Sequence, residues 1–336
     1  MTSQKIELMR RSILSQNVVS LRTERVSDFP KFCTILKSMN QLRRVEICGH
    51  HLKGATIKPL TMLKQVTDLV LNENGISELG VIYISGMIQL KSLDIRNNEI
   101  NVESAKYITQ LRKLQSLSVS VRNNEVLTLI GGMKNLTRLR IDRNNIGHDG
   151  AKIISRMKQL TSLHISNNSL LSEGAKLISS MKKLTELVIT NNNIGIMGTF
   201  YISELKELTK LCIGFNCIGD EGAKHISGLK KLVDLNVTWN EIGLAGAKSI
   251  GELRNLTHLS AGENDIPAEG AKAISQLRNL TYLDIVGNPI GDEGGLAISE
   301  LTKLTTLFIG VYSLSNCSID QLKKMKQLRV SDLLDD

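Results

Sequence analysis

The chain has 336 residues, 41 % hydrophobic but only 3 % aromatic, with a formal net charge of +9. A large core is possible, but with so few rings it must be filled by many Leu and Ile side chains in regular layers. Residues Met1 to Ser20 carry Lys5, Glu7, Arg10 and Arg11 and lack the apolar run of a secretory leader. No stretch approaches the ~20 apolar residues of a membrane span, so a membrane is not an expected partner. The five cysteines (Cys33, Cys48, Cys212, Cys217 and Cys317) are odd in number and irregular in spacing. Reduced thiols in a cytoplasmic, or alternatively nuclear, compartment are expected.

At the N-terminus, Lys5 to Leu14 is amphipathic and predicts a helical cap over residues 1–17. A repeated unit then takes over. Its leading apolar residues are Leu42, Val66, Leu90, Leu114, Leu136, Leu160, Leu184, Leu208, Leu232, Leu256, Leu280 and Leu304. They stand 24 residues apart, except for 22 between Leu114 and Leu136. A degenerate copy opens at Val18 and a partial one at Leu328, so the array is expected over 18–328. An acidic tail over 329–336 follows it.

Within a unit the hydrophobic period changes. In the copy beginning at Leu208, Leu211 and Ile213 alternate with non-core positions, as in a short strand. Ala223, Ile226 and Leu229 then recur every three residues, as on one face of a helix. A unit of this kind cannot bury its apolar face alone, and stacked copies make a continuous core. Helices are wider (~10 Å) than the ~4.8 Å strand spacing. The stack is therefore expected to curve with its strands inside.

Eight residues after the leading position stand Asn74, Asn98, Asn144, Asn168, Asn192, Asn216, Asn240, Asn264 and Asn288. An amide that both donates and accepts can satisfy the backbone groups stranded at a buried bend, so these form a predicted structural ladder. Gly150, Gly174, Gly198, Gly222, Gly246, Gly270 and Gly294 mark where each helix start is expected to lie close to the sheet. Acids such as Glu103, Glu173, Glu221 and Glu269 precede Lys106, Lys176, Lys224 and Lys272 by three residues. Early acids and late bases suit the helix dipole and i,i+3 pairing. Much of the positive charge is thus read as a solvated helix face, and nucleic acid is not the expected partner.

Irregularities are legible too. His50 takes a ladder position near the N-terminus, a sign of a less regular end. The short unit after Leu114 has Arg122 at the ladder position and Gly131-Gly132 in its helical part, which predicts a shortened convex segment. Tyr312 replaces the last ladder Asn.

Recognition is expected at positions the scaffold does not dictate, two, four, six and seven residues after the leading Leu. Phe215 and Trp239, the only Trp, occupy the seventh position of adjacent units beside the small Gly214, Thr238 and Gly262. Exposed aromatics of this kind anchor protein partners; packing on their own loops is the alternative. Arg138, Arg140 and Arg143, with Asp142 among them, suit an acidic peptide, or neutralise against nearby acids. His258, Tyr282 and Phe308 lie on successive C-terminal strands and are expected to form a diagonal rather than a tight cluster. Catalysis is not expected: phosphate-loop and zinc-protease motifs are absent. Cys212 and Cys217 have no second pair to complete a metal site. Cys212 and His258 fall two units apart, ~10 Å at the backbone, beyond direct hydrogen-bond reach. Neither a cofactor nor a metal is expected.

The recurring L-x-x-L-x-I-x-x-N pattern resembles the leucine-rich-repeat superfamily over roughly Val18 to Leu328. The Ile-Gly-Asp-Glu-Gly-Ala-Lys stretch resembles its ribonuclease-inhibitor-like class. The chain is also similar to the expanded repeat families of unicellular eukaryotes, some with an F-box. The resemblance implies an α/β solenoid, a horseshoe with a concave parallel sheet and convex helices. It also implies a non-enzymatic, monomeric scaffold binding a protein or acidic peptide through the concave face. The alternatives it carries are a substrate receptor of an F-box ubiquitin ligase, for which the chain before Val18 is short, and an inhibitor of a specific enzyme.

Overall fold

The computed structural model describes residues 18–21, 28–121, 123–310, 314–325 and 328. The cap expected over 1–17, Arg122, Tyr312 and the acidic tail over 329–336 lie outside these. The chain forms two compact units, Met1–Asn144 and Asn145–Asp336.

In the first unit, strands β1 (Val18–Leu21), β2 (Arg44–Ile47), β3 (Asp68–Val70), β4 (Ser92–Asp94), β5 (Ser116–Ser118) and β6 (Arg138–Arg140) pair in chain order, all parallel. In the second, β7 (Ser162–His164), β8 (Glu186–Val188), β9 (Lys210–Cys212), β10 (Asp234–Asn236), β11 (His258–Ser260), β12 (Tyr282–Asp284) and β13 (Thr306–Phe308) do the same. Helical segments alternate with the strands, and both units are α/β repeat solenoids. The register carries one residue type straight across: Leu187, Leu211, Leu235, Leu259, Leu283 and Leu307 are successive partners. Each points inward and is fully buried, while the residues either side in most strands stay half exposed.

The helices are short, as in Gly219–Ile226 and Leu244–Ile250, and two turns cannot hold in water by propensity alone. Packing supplies the stability. In the copy starting at Leu208, the buried set Leu211, Ile213, Ile218, Ala223, Ile226 and Leu229 runs from strand through bend to helix end. The glycine in the first turn of most helices is required by a contact within its own unit. A Cβ on Gly222 would sit 2.6 Å from Ile218 Cβ, and one on Gly270 would sit 2.8 Å from Ile266 Cγ2. The glycine lets the buried Ile after the ladder Asn pass under the helix.

Gly-Asp-Glu-Gly contributes a second device. Asp220 Oδ1 accepts from Gly243 N and Gly246 N, both at 2.8 Å, at the start of the following helix. Asp292 Oδ1 accepts in the same way from Ser315 N at 2.7 Å and Ser318 Oγ at 2.6 Å. These carboxylates join one module to the next. Along the helices the i,i+3 pairs form, among them Lys106–Glu103 at 2.6 Å and Lys272–Glu269 at 3.0 Å. They are exposed and contribute little to stability.

The short unit corrects the sequence reading. Its helix, Asn124–Gly131, has 8 residues, as many as Gly147–Ile154 in the next unit. Gly132 serves as its C-cap. Of the two missing residues, one comes out of the bend before that helix (119–123, against 141–146 in the next unit) and one out of the turn after it (132–137, against 155–161), so the helix itself is not shortened. Gly54–Met62 is instead a 3-10 segment containing Pro59, which cannot complete an α-helical ladder.

Candidate functional site

The ladder geometry explains how the bends hold still. Asn216 Nδ2 donates to Ile189 O (3.1 Å), Ile213 O (2.9 Å) and Gly214 O (3.0 Å). Its Oδ1 accepts from Asn192 N (3.0 Å) and Ile194 N (3.3 Å) of the preceding repeat. Asn192 and Asn264 repeat this pattern, and Asn168, Asn240 and Asn288 show parts of it. In the first unit Asn74 and Asn98 do likewise, and Asn144 Oδ1 accepts from Val121 N at 2.6 Å. His50 fits the series: His50 N donates to Asn74 Oδ1 at 2.9 Å, and its Nδ1 meets Cys48 O at 2.7 Å. The imidazole thus reaches the carbonyl two residues back, as an Asn amide would, so the series runs on through that position.

Immediately before each ladder Asn the backbone turns left-handed. Glu73, Asn97, Arg143, Asn167, Asn191, Phe215, Trp239 and Glu263 all have φ between 52° and 60°. Asn and Gly tolerate that region; bulky side chains are costly there, by ~1 kcal/mol or more. Phe215 and Trp239 are held in it by Phe215 N donating to Thr238 O (3.0 Å) and Trp239 N to Gly262 O (3.1 Å). Their rings stack, with centroids 5.6 Å apart and planes 17° apart, and remain 49 % and 51 % exposed. The pair stands three residues past the ends of β9 and β10, so it forms a ridge along the bend rather than on the strands.

An open depression of about 490 Å³ lies against this ridge, lined by Phe215, Trp239 and Cys217 and by Glu241, Glu263 and Asp265. Gly287 also lines it, and Glu263 lies against that bare backbone: a Cβ on Gly287 would come within 2.6 Å of Glu263 Oε1.

A polar row runs across the strands of the second unit, two residues after each leading Leu, and reading the motifs one at a time had missed most of it. Ser162 Oγ donates to Glu186 Oε2 (2.7 Å), and His164 Nε2 lies 3.2 Å from Glu186 Oε1. Lys210 bridges on to Asp234 at 3.0 Å. Burial pushes the Glu186 carboxyl up, but Ser162, His164 and Lys210 together outweigh it and leave it lowered. Listing that one position down the repeats (Ser, Glu, Lys, Asp, His, Tyr) would have revealed the row.

The row ends in aromatics. His258 and Tyr282 are register partners, not offset, and their rings stack at 5.9 Å with planes 17° apart. Phe308 is two residues further along its strand, yet its ring is 5.7 Å from Tyr282. The three therefore form a continuous cluster, because ring reach exceeds the offset that backbone position suggests. Trp239 belongs to the bend, a different row.

The arginines divide. Arg140 Nε is paired with Asp142 Oδ2, two residues on, at 2.6 Å, as Arg96 is with Asp94 at 2.7 Å. Among the described residues no ion pair involves Arg138 or Arg143, and both are exposed.

A Cys–His reading fails on geometry and charge. Cys212 is the third residue of β9 and His258 the first of β11, so they share neither strand level nor adjacent strand. Burial, with Asp234 adding to it, pushes the Cys212 thiol up to about 11, so at neutral pH it carries its proton. His258 Nδ1 instead meets Thr257 Oγ1 at 2.8 Å. Among the described residues, no group of three or more His, Cys, Asp or Glu is placed to hold a metal ion, and no helix is long and apolar enough to cross a membrane. None of the five cysteines is in a disulfide.

A further departure lies on the helix Gly195–Ile202. Where other units place acids and a lysine, it carries Ile196, Met197 and Phe200, each about half exposed.

Short parallel strands, a ladder of mostly buried Asn at successive bends and short helical returns define a repeat solenoid of the kind whose modules each contribute one rung. A family model described as "Leucine-rich repeat region" matches residues 26–272, and one described as "Leucine Rich repeat" matches 276–299. The chain belongs to the leucine-rich-repeat family. Among solved structures it is similar to an internalin (inlF) from Listeria monocytogenes, with 22 % identity, a TM-score of 0.55, and 89 % of this chain and 88 % of that one covered. It is similar as well to TLR13 in a TLR13–ssRNA13 complex, with 21 % identity and a TM-score of 0.57. That alignment covers 87 % of this chain and 52 % of the TLR13 chain. No curated protein matches the sequence.

Proposed function

We propose that this protein is a non-enzymatic scaffold that binds another protein, with the Phe215–Trp239 ridge as its principal contact. One observation carries the reading. Two large rings occupy left-handed backbone, half exposed, where the flanking repeats place Asn191 and Glu263. Neither the ladder nor the core gains from rings there, whereas a partner gains a rigid aromatic anchor. The His258–Tyr282–Phe308 cluster and the polar row beside it supply a second, strand-borne surface on the same unit. In the first unit, the exposed Arg138 and Arg143 are the residues to which an acidic segment would bind, since the Arg140 guanidinium is already engaged by Asp142. The membership of the leucine-rich-repeat family supports binding as the general role.

The test is a crosslinking capture from native lysate with the wild type, Trp239→Ala and a double Arg138→Glu/Arg143→Glu variant, read by quantitative mass spectrometry. Specific partners should drop at least about tenfold for Trp239→Ala, in the manner of an interface hot spot. Full retention by both variants, with unchanged circular dichroism, would overturn the assignment.

A further inference from the structure

We propose that the depression beside Trp239 takes an arginine side chain from a basic peptide segment of the partner. This rests on the recognition role just assigned to the ridge and adds the chemistry of what it recognises.

Two in-register rows build the site. One carries Phe215, Trp239 and Glu263 at successive left-handed positions, and the other carries Cys217, Glu241 and Asp265 two residues further on. Phe215 covers one face of the Trp239 ring by stacking at 17°. The other face is turned along the row, toward the repeat that supplies Glu263. An aromatic face bounded by carboxylates is a site for a cation. The lining holds three carboxylates and no Lys or Arg, although the chain as a whole is at +9. Local charge thus opposes net charge at the one place where the exposed ring pair stands.

The shape selects arginine over lysine. A guanidinium is planar, lies flat on an indole, and presents a fork of N–H donors to a carboxylate at its edge. An ammonium can satisfy the carboxylates but cannot stack. The frame is rigid before any ligand arrives: Trp239 N donates to Gly262 O (3.1 Å) and Glu263 N to Val286 O (2.7 Å). Glu263 is further positioned against the bare backbone of Gly287.

Trp239 is the only Trp and therefore reports on its own site. The full chain would be titrated with N-acetyl-hexaarginine amide, the hexacitrulline analogue of equal shape without charge, hexalysine, and hexaglutamate, following Trp fluorescence. Hexaarginine should give a saturable change. Binding should be at least about tenfold weaker for hexacitrulline and for the Glu241→Gln/Glu263→Gln/Asp265→Asn variant, with hexalysine between. Hexacitrulline equal to hexaarginine, or full affinity in the triple variant, overturns the proposal. So does a saturable response to hexaglutamate lost in Phe215→Ala, which keeps the Trp reporter, although that leaves the ridge as a binding site. Silence from all four peptides overturns the arginine proposal and counts against the ridge as well.

Discussion

Replacing Asn216 with Ala tests whether the ladder holds the bends together. The side chain is fully buried and engages five backbone groups: three carbonyls through Nδ2 and two N–H groups through Oδ1. After truncation the N–H groups of Asn192 and Ile194 have no acceptor in a space closed to water. Each orphaned buried donor costs about 1–3 kcal/mol. The carbonyls add less, because a C=O with one remaining bond is only partly deprived. The expected loss is therefore about 3–5 kcal/mol, large for a single change that removes no apolar volume. Asn216→Asp separates the two halves of the argument. A carboxylate still accepts from both N–H groups but faces the three carbonyls with like charge, which raises its pKa in the folded chain. An acid raised on folding destabilises above its unfolded pKa and recovers as pH falls through its folded value. Asn216→Asp should thus be more destabilised at pH 7.5 than at pH 5. The assay is urea denaturation followed by Trp239 fluorescence, with Lys183→Ala as the surface control, since Lys183 is exposed and should change stability by less than about 0.5 kcal/mol. A loss below about 1 kcal/mol for Asn216→Ala would refute the ladder as the element that fixes the bends.

Two further outcomes follow from the titrating groups of the second unit. With its thiol pushed up to about 11 by burial and neighbouring Asp234, Cys212 should resist iodoacetamide at pH 7.5 while the exposed Cys217 is alkylated, as read by peptide mass mapping; equal labelling would contradict the burial. Glu186 is lowered despite its burial, so it contributes stability above the ordinary carboxylate pKa, and that contribution disappears as pH falls through its folded value. The wild type should unfold at higher urea than Glu186→Gln at pH 6–7, and the gap should close below about pH 4; a gap that is constant with pH would remove the Ser162–His164–Lys210 network as its cause.

The array was readable because a solenoid writes its fold locally. Leu208, Leu211, Ile213, Asn216 and Gly222 each have a role set inside one 24-residue copy, and repetition makes the pattern unmistakable. Irregular copies were harder. In the unit after Leu114, Gly131-Gly132 pointed to a shortened convex segment, but the helix kept its length and the turns on either side of it each lost one residue. Helix length follows from the need to span the core beside its neighbours, which residue type does not reveal. Asp220 and Asp292 have a role that spacing within one copy does not show: their carboxylates satisfy backbone N–H groups of the next unit, a relation between residues 23 to 26 positions apart.

The sequence by itself determined the module, its period, the buried ladder and the adjacency of Phe215 to Trp239, because all of these follow from spacing. Only the tertiary structure decided that those rings stand at the bend in left-handed backbone, that three carboxylates share their depression, and that His258, Tyr282 and Phe308 touch. These depend on where side chains reach across separate repeats, and periodicity fixes the backbone position of a residue without fixing the direction or the reach of its side chain.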